Sequence, residues 1–223
     1  MTFRGFPVEA FRFYEGLEAD NSRDYWQANK AVYEAAVKAP MAALLDEVPE
    51  KYRPFHVFRP NRDVRFASDK SPYKTAMGAV SEAQGGTVYY VQFSASGILA
   101  GAGYYQMAAD QLERFRAAVD LAATGAKVVG IVAALTKKGY TAGAISEVKT
   151  APRGWPKDHP RIELLRRKGL IVTRSFTPAA WMHTAACRRK VEEAWSGAAP
   201  LCAWLDAHVG PSELPPEDER WVR

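Results

Sequence analysis

Apolar positions recur every three or four residues through the first quarter of the chain and every second residue through its middle. Val8, Phe11, Tyr14 and Leu17 trace one helix behind Pro7, a residue suited to a first helical turn. Asn21 is placed to cap a second helix, with Asp24 in its first turn and Trp26, Val32, Tyr33, Ala36 and Val37 along its apolar stripe. Pro40 kinks or restarts that helix, and Met41, Leu44, Leu45 and Val48 carry the stripe to Pro49. The period then falls to two. Strands are predicted at Phe55–Arg59, Ala76–Glu82, Thr87–Ala95 and Ile98–Tyr105, with Gly85-Gly86 and Ser96-Gly97 as turns. Helices return at about 109–123 and 126–138, and residues 140–160 show little periodicity. A short helix opens at Pro160, Leu170–Phe176 reads as a further strand, and Thr177 with Pro178 starts a last helical region through Trp181, Val191, Trp195 and Leu205.

Helices, a meander and helices again predict an α+β fold: an antiparallel β-sheet meander covered by helices from the N- and C-terminal parts. The strict βαβ alternation of a doubly wound sheet is missing. The 223 residues suit one domain over 1–210, followed by a loosely ordered, Pro- and Glu-rich tail at 211–223. No apolar run approaches the roughly 20 residues a bilayer needs, and the first residues do not form a signal peptide, so a cytoplasmic protein with no membrane partner is expected. Cys187 and Cys202 fall on predicted helices and read as buried thiols rather than a disulfide framework.

Charge sharpens this picture. The net charge is +5, but residues 51–75 hold seven Lys or Arg against Asp63 and Asp69, and residues 149–174 hold eight against Asp158 and Glu163. These segments carry +5 and +6, which leaves −6 on the rest of the chain. Two basic stretches meeting on a mildly acidic body would attract anions.

The densest phrase is Arg62-Asp63-Val64-Arg65-Phe66 with Asp69-Lys70-Ser71-Pro72-Tyr73-Lys74. Charges gathered against apolar rings lose solvation, so a chain keeps them mainly where they pair with one another or with a ligand. Arg62 and Arg65 offer planar forks to a phosphate or carboxylate, and Lys70 and Lys74 add point charges. In the second basic stretch Arg153-Gly154 allows close backbone approach, and Asp158-His159-Pro160-Arg161 sets an imidazole and N–H donors at a helix start. Arg153, His159 and Arg161 therefore join Arg62, Arg65, Lys70 and Lys74 as candidate ligand-binding residues. If the site is catalytic, Asp63 or Asp69 is the candidate base and His159 the candidate acid.

Other chemistries find little support. Metal-ligand spacings such as Cys-x-x-Cys or His-x-x-x-His are missing, so no metal site and no cofactor are expected. No serine sits in a Gly-x-Ser-x-Gly elbow. Gly101-Ala102-Gly103-Tyr104 lacks the third glycine and the helix start of a phosphate loop, so tight strand packing or a bulge explains its glycines better. Tyr89, Tyr90, Tyr104 and Tyr105 are candidates for an aromatic platform on the sheet.

The chain resembles the DUF2461 family of bacterial and fungal proteins. Four stretches carry the likeness: Asn21-Ser22-Arg23-Asp24-Tyr25-Trp26 with Asn29-Lys30 and Tyr33; the charged phrase; Gly101-Ala102-Gly103-Tyr104-Tyr105; and Ala151-Pro152-Arg153-Gly154 with Asp158-His159-Pro160-Arg161. The resemblance implies a compact single domain and brings with it no settled substrate or catalytic residue.

Three functional readings follow. In the first, a small anionic ligand, phosphorylated or otherwise, binds between segments 59–74 and 153–161. In the second, the same cations contact nucleic-acid phosphates while the tyrosines stack on bases. In the third, the charges form an internal ion-pair network, Asp63 with an Arg and Asp69 with a Lys, that fixes a long connection over the sheet.

Overall fold

The computed structural model describes residues 2–65, 69–81 and 86–214. Its strands are β1 (Phe55–Val57), β2 (Ala76–Ser81), β3 (Val88–Ser94), β4 (Gly97–Tyr104), β5 (Thr141–Gly143) and β6 (Leu170–Phe176). Among the described residues they form a six-stranded antiparallel sheet in the order β1-β2-β3-β4-β6-β5. The fold is α+β, with a meander between N-terminal and C-terminal helices. The chain divides into two compact units: Met1–Glu82, Tyr89–Gly101 and Arg174–Ser196 make the first, and Ala83–Val88, Ala102–Thr173 and Gly197–Arg223 the second.

In the first unit, α1 (Val8–Ala19) and α2 (Arg23–Val32) follow the expected stripes. The cap of α2 differs from expectation. Ser22, not Asn21, is the capping residue, and its Oγ accepts the Tyr25 N–H at 3.0 Å. Asn21 is thereby left for another task. Past α2 the helix widens into a π-turn over Tyr33–Lys38 before α3 (Ala39–Glu47). Pro40 cannot donate a backbone hydrogen bond, and just ahead of it Ala39 N–H reaches back to Glu34 O. The helix is therefore rewound at Pro40 rather than stopped.

Period-two alternation sets the two faces of the sheet. Met77, Ala79, Val91 and Phe93 join the core of α1, α2, α3 and α7 (Ala186–Gly197), while Gly78, Val80, Tyr90 and Gln92 point to the other, half-buried face. Phe93 stacks on Phe6 at 4.1 Å between ring centroids and meets Phe11 edge-on at 4.8 Å. Trp195 on α7 is fully buried, and its indole N–H donates to Tyr90 O at 2.9 Å. Gly78 belongs to the outward set for a steric reason. A Cβ there would lie 2.6 Å from the Tyr90 hydroxyl, so the missing side chain lets Tyr90 lie over the strand.

In the second unit, α4 (Ala109–Asp120) and α5 (Ala122–Lys137) bend by 94° about Leu121 and pack with α8 (Ala199–His208). Val119, Val128, Leu135, Leu201 and Leu205 are buried there, and Trp204 donates from Nε1 to Thr124 O at 3.1 Å. Residues 211–213 are held by α4: Arg114 donates to Pro211 O, and Asp110 accepts from Ser212 Oγ and the Glu213 N–H, each at 2.8 Å. Residues 215–223 of the expected tail lie outside the described residues. No single helix among the described residues is long and apolar enough to cross a membrane. Cys187 and Cys202 are buried free thiols, each pushed up to about 12 by burial.

Candidate functional site

The charged phrase forms a loop closed by a short antiparallel neck. Arg62 N–H donates to Pro72 O at 2.9 Å and Lys74 N–H to Pro60 O at 2.8 Å, so Asn61 and Tyr73 lie opposite each other. Pro60 and Pro72 accept but cannot donate in return, which limits the ladder to these two bonds. Tyr73 anchors the neck. Its ring is buried and stacks on Trp26 with centroids 4.3 Å apart and planes 9° from parallel. Asn21 clasps the same residue through its backbone: Nδ2 donates to Tyr73 O and Oδ1 accepts the Tyr73 N–H, both at 3.1 Å. The first two family stretches thus meet at one point, an outcome that the capping preference of Asn21 concealed.

Alternation across the neck puts Arg62 and Lys74 on the side opposite Tyr73, at diagonal positions whose Cα atoms are about 7–8 Å apart in such a ladder. Lys74 Nζ lies 5.3 Å from the centre of the Phe58 ring. The Lys74 ammonium is pushed below its ordinary range, first by burial and then by the charges of Arg59 and Arg62. Arg59 and Arg62 therefore both repel Lys74 at the base of the loop. Arg59 forms no ion pair among the described residues, although its charge also reaches Asp63, and it was not among the candidates drawn from the motif. The sequence did show it as a nearby cation, but only the fold of the neck brings its field onto Lys74.

Further out, the charges are paired. Arg62 donates to Asp69 Oδ2, and Asp69 Oδ1 accepts Ser71 N–H at 2.9 Å and Ser71 Oγ at 2.6 Å. Asp69 is held below the usual carboxylate range, chiefly by the Ser71 hydroxyl and amide and then by Arg62. Arg65 wraps onto Asp63, with Nε to Oδ1 at 3.0 Å and Nη2 to Oδ2 at 2.7 Å. Lys70 Nζ donates to Val64 O at 2.9 Å. Phe66, Ala67 and Ser68 lie outside the described residues.

These bonds bear on the catalytic candidates. The Arg65 guanidinium and amide hold Asp63 at about 2, which makes it a weak base near neutral pH. The Asp63–Arg65 bond is complete above the ordinary carboxylate pKa of about 3.9 and is lost as pH falls through about 2. Carboxyl-resolved NMR should find Asp63 titrating near 2 in the native protein, and Arg65→Ala should return it toward the ordinary value. An unchanged titration in that variant would mean that the pair does not form in solution.

In the second unit, two of the 153–161 candidates, His159 and Arg161, serve the end of α4. Arg161 donates from Nε to Val119 O and from Nη2 to Asp120 O, both at 2.6 Å, satisfying carbonyls that a helix terminus leaves open. His159 Nδ1 accepts the Arg161 N–H at 3.1 Å, so the ring proton sits on Nε2, which faces Asp120 Oδ1 at 3.0 Å. Arg153 is exposed beside Gly154, which has φ +95°. Segment 59–74 belongs to the first unit and segment 153–161 to the second. A described cleft of about 540 Å³ in the first unit is lined by residues such as Leu45, Glu50, Arg53 and Phe55, and by none of the candidate cations. Among the described residues no group of His, Cys, Asp or Glu is arranged to hold a metal ion.

The molecule is thus an α+β protein with a cationic loop clasped onto an aromatic core. The model of the family described as "Conserved hypothetical protein (DUF2461)" matches residues 9–204, and the chain belongs to that family. No curated protein and no solved structure matches it.

Proposed function

We propose that the protein binds a small anion, a phosphate or carboxylate, at the base of the 59–74 loop, where Arg59, Arg62 and Lys74 converge. The observation that carries this reading is that Lys74 stands in the field of both Arg59 and Arg62, while the carboxylates near them are already engaged, Asp69 by Ser71 and Arg62 and Asp63 by Arg65. An incoming anion relieves the repulsion on Lys74, and the Arg62 fork can turn from Asp69 to it. Arg65 and Lys70 are occupied by Asp63 and Val64 O and serve the shape of the loop. Buried free thiols at Cys187 and Cys202 suit a reducing, cytoplasmic setting.

The test is thermal unfolding with inorganic phosphate, pyrophosphate and citrate, with and without the Arg59→Ser/Lys74→Met double substitution. At roughly a hundredfold excess over Kd an anion stabilises the native state by about 2.7 kcal/mol, which at this chain length raises Tm by about 5–10 °C. The double variant should lose that response without a lower Tm in buffer alone, because it removes two charges that repel. If these cations instead tie the fold together, the variant loses stability in buffer and the native protein ignores the anions. A response to short DNA but not to the small anions, falling steeply with salt, would favour nucleic acid.

A further inference from the structure

We propose that the cleft beside β1 receives an extended segment of a partner protein, added as a strand to the edge of the sheet, with a basic side chain set against Asp46 and Glu50. The backbone gives the first reason. β1 pairs with β2 in the register Phe55↔Ser81, His56↔Val80 and Val57↔Ala79, and Phe58 N–H donates to Gly78 O at 2.9 Å. In an antiparallel ladder, residues alternate between those bonding inward and those turned outward. His56 and Phe58 bond toward β2, so the N–H and C=O of Phe55 and Val57 point to the free edge. No other backbone group among the described residues meets them.

The second reason is that this edge borders a built recess. Phe55 and Val57 line the cleft of about 540 Å³ together with Leu45 of α3, and Asp46, Glu50 and Arg53 stand on its rim. An extended chain is the occupant that can pair with successive outward amides and carbonyls while lowering alternate side chains onto Leu45, Phe55 and Val57. Charge selects among extended chains. Asp46 and Glu50 are exposed and form no ion pair among the described residues, while Arg53 Nη1 leans on the Asp46 carbonyl at 3.4 Å. The rim is net negative on a chain of net charge +5, so a basic side chain fits it and an acidic one does not. Pro54 and the shortness of β1 shield the edge from long, indiscriminate pairing. They leave room for a short strand.

The probes are capped peptides of about seven residues with Val, Ile or Thr at alternate positions and either Lys or Glu between them, titrated into the full chain and followed by amide NMR. The Lys peptides should move the Phe55, His56 and Val57 resonances and bind at least about tenfold more tightly than the Glu peptides. N-methylation of the peptide amides that face β1 should remove binding, and Asp46→Asn/Glu50→Gln should erase the preference for Lys while leaving the fold intact. The proposal is overturned if no peptide binds at about 1 mM, if the N-methylated peptides bind equally, or if the shifts fall elsewhere. Sedimentation showing that the free chain pairs with itself through β1 also overturns it, since a second copy would then own the edge.

Discussion

Tyr73→Ala is expected to lower the unfolding free energy by about 3–5 kcal/mol in urea titrations, a large share of what holds a domain of this size together. The ring is buried against Trp26, which itself packs on Phe13 at 5.8 Å and Tyr33 at 4.8 Å. Removing it opens a cavity inside a cluster of rigid rings that cannot collapse far. Tyr73→Phe keeps the stack. The Tyr73 hydroxyl has no hydrogen-bond partner among the described residues, so that variant should stay within about 0.5 kcal/mol of the native protein.

The same residue links stability to the proposed site. Asn21 holds the Tyr73 backbone from both sides, and Asn21→Ala strips a donor and an acceptor from half-buried groups, at about 1–3 kcal/mol. Either loss loosens the neck that sets Lys74 across from Arg62, so the phosphate response should weaken in Asn21→Ala even at temperatures where the variant is fully folded. If Tyr73→Ala is as stable as Tyr73→Phe, the stack is not formed in solution, and the clasp cannot be what positions the cations.

Much of this frame could be read from the chain. The alternation of Tyr89, Val91 and Phe93 with Tyr90, Gln92 and Ser94 marks β3 because a strand that buries one face must repeat every two residues. β5 escaped because Thr141-Ala142-Gly143 is too short and too mixed to show a period. Asn21 misled for a chemical reason: the carboxamide that suits a helix cap equally suits a backbone N–H and C=O from a distant strand, and local sequence does not distinguish the two. The loop was legible as a concentration of charge but only in part as a set of pairs. The ion-pair alternative set Asp63 against an arginine, and Arg65 is that arginine; it set Asp69 against a lysine, whereas Asp69 meets Arg62 and Lys70 is drawn to Val64 O. His159 and Arg161 were visible as a polar cluster, but their partners at the end of α4 come from a distant part of the sequence. Pairings of that kind depend on tertiary placement, and periodicity carries no information about them.

Gly103→Ala is the second substitution expected to act strongly, on the order of 2–6 kcal/mol of destabilisation when backbone strain and overpacking are combined. Gly103 sits in β4 at φ +135°, where an L side chain is strained, and an added Cβ would lie 2.3 Å from Leu170 O and 2.9 Å from Ile171 Cα. Both obstacles are backbone atoms of β6, so no rotamer change relieves them and the two strands must part. Gly139 and Gly154 supply the control. Each has positive φ, at +83° and +95°, but open space where a Cβ would go, so alanine there carries the conformational cost alone and should be clearly milder. Urea midpoints of the three variants separate the effects of close approach and of backbone angle. Equal losses would show that β4 and β6 do not come this close, while a Gly103 loss well beyond the other two assigns the Gly101-Ala102-Gly103 signature to strand contact and leaves it no need of a bound phosphate.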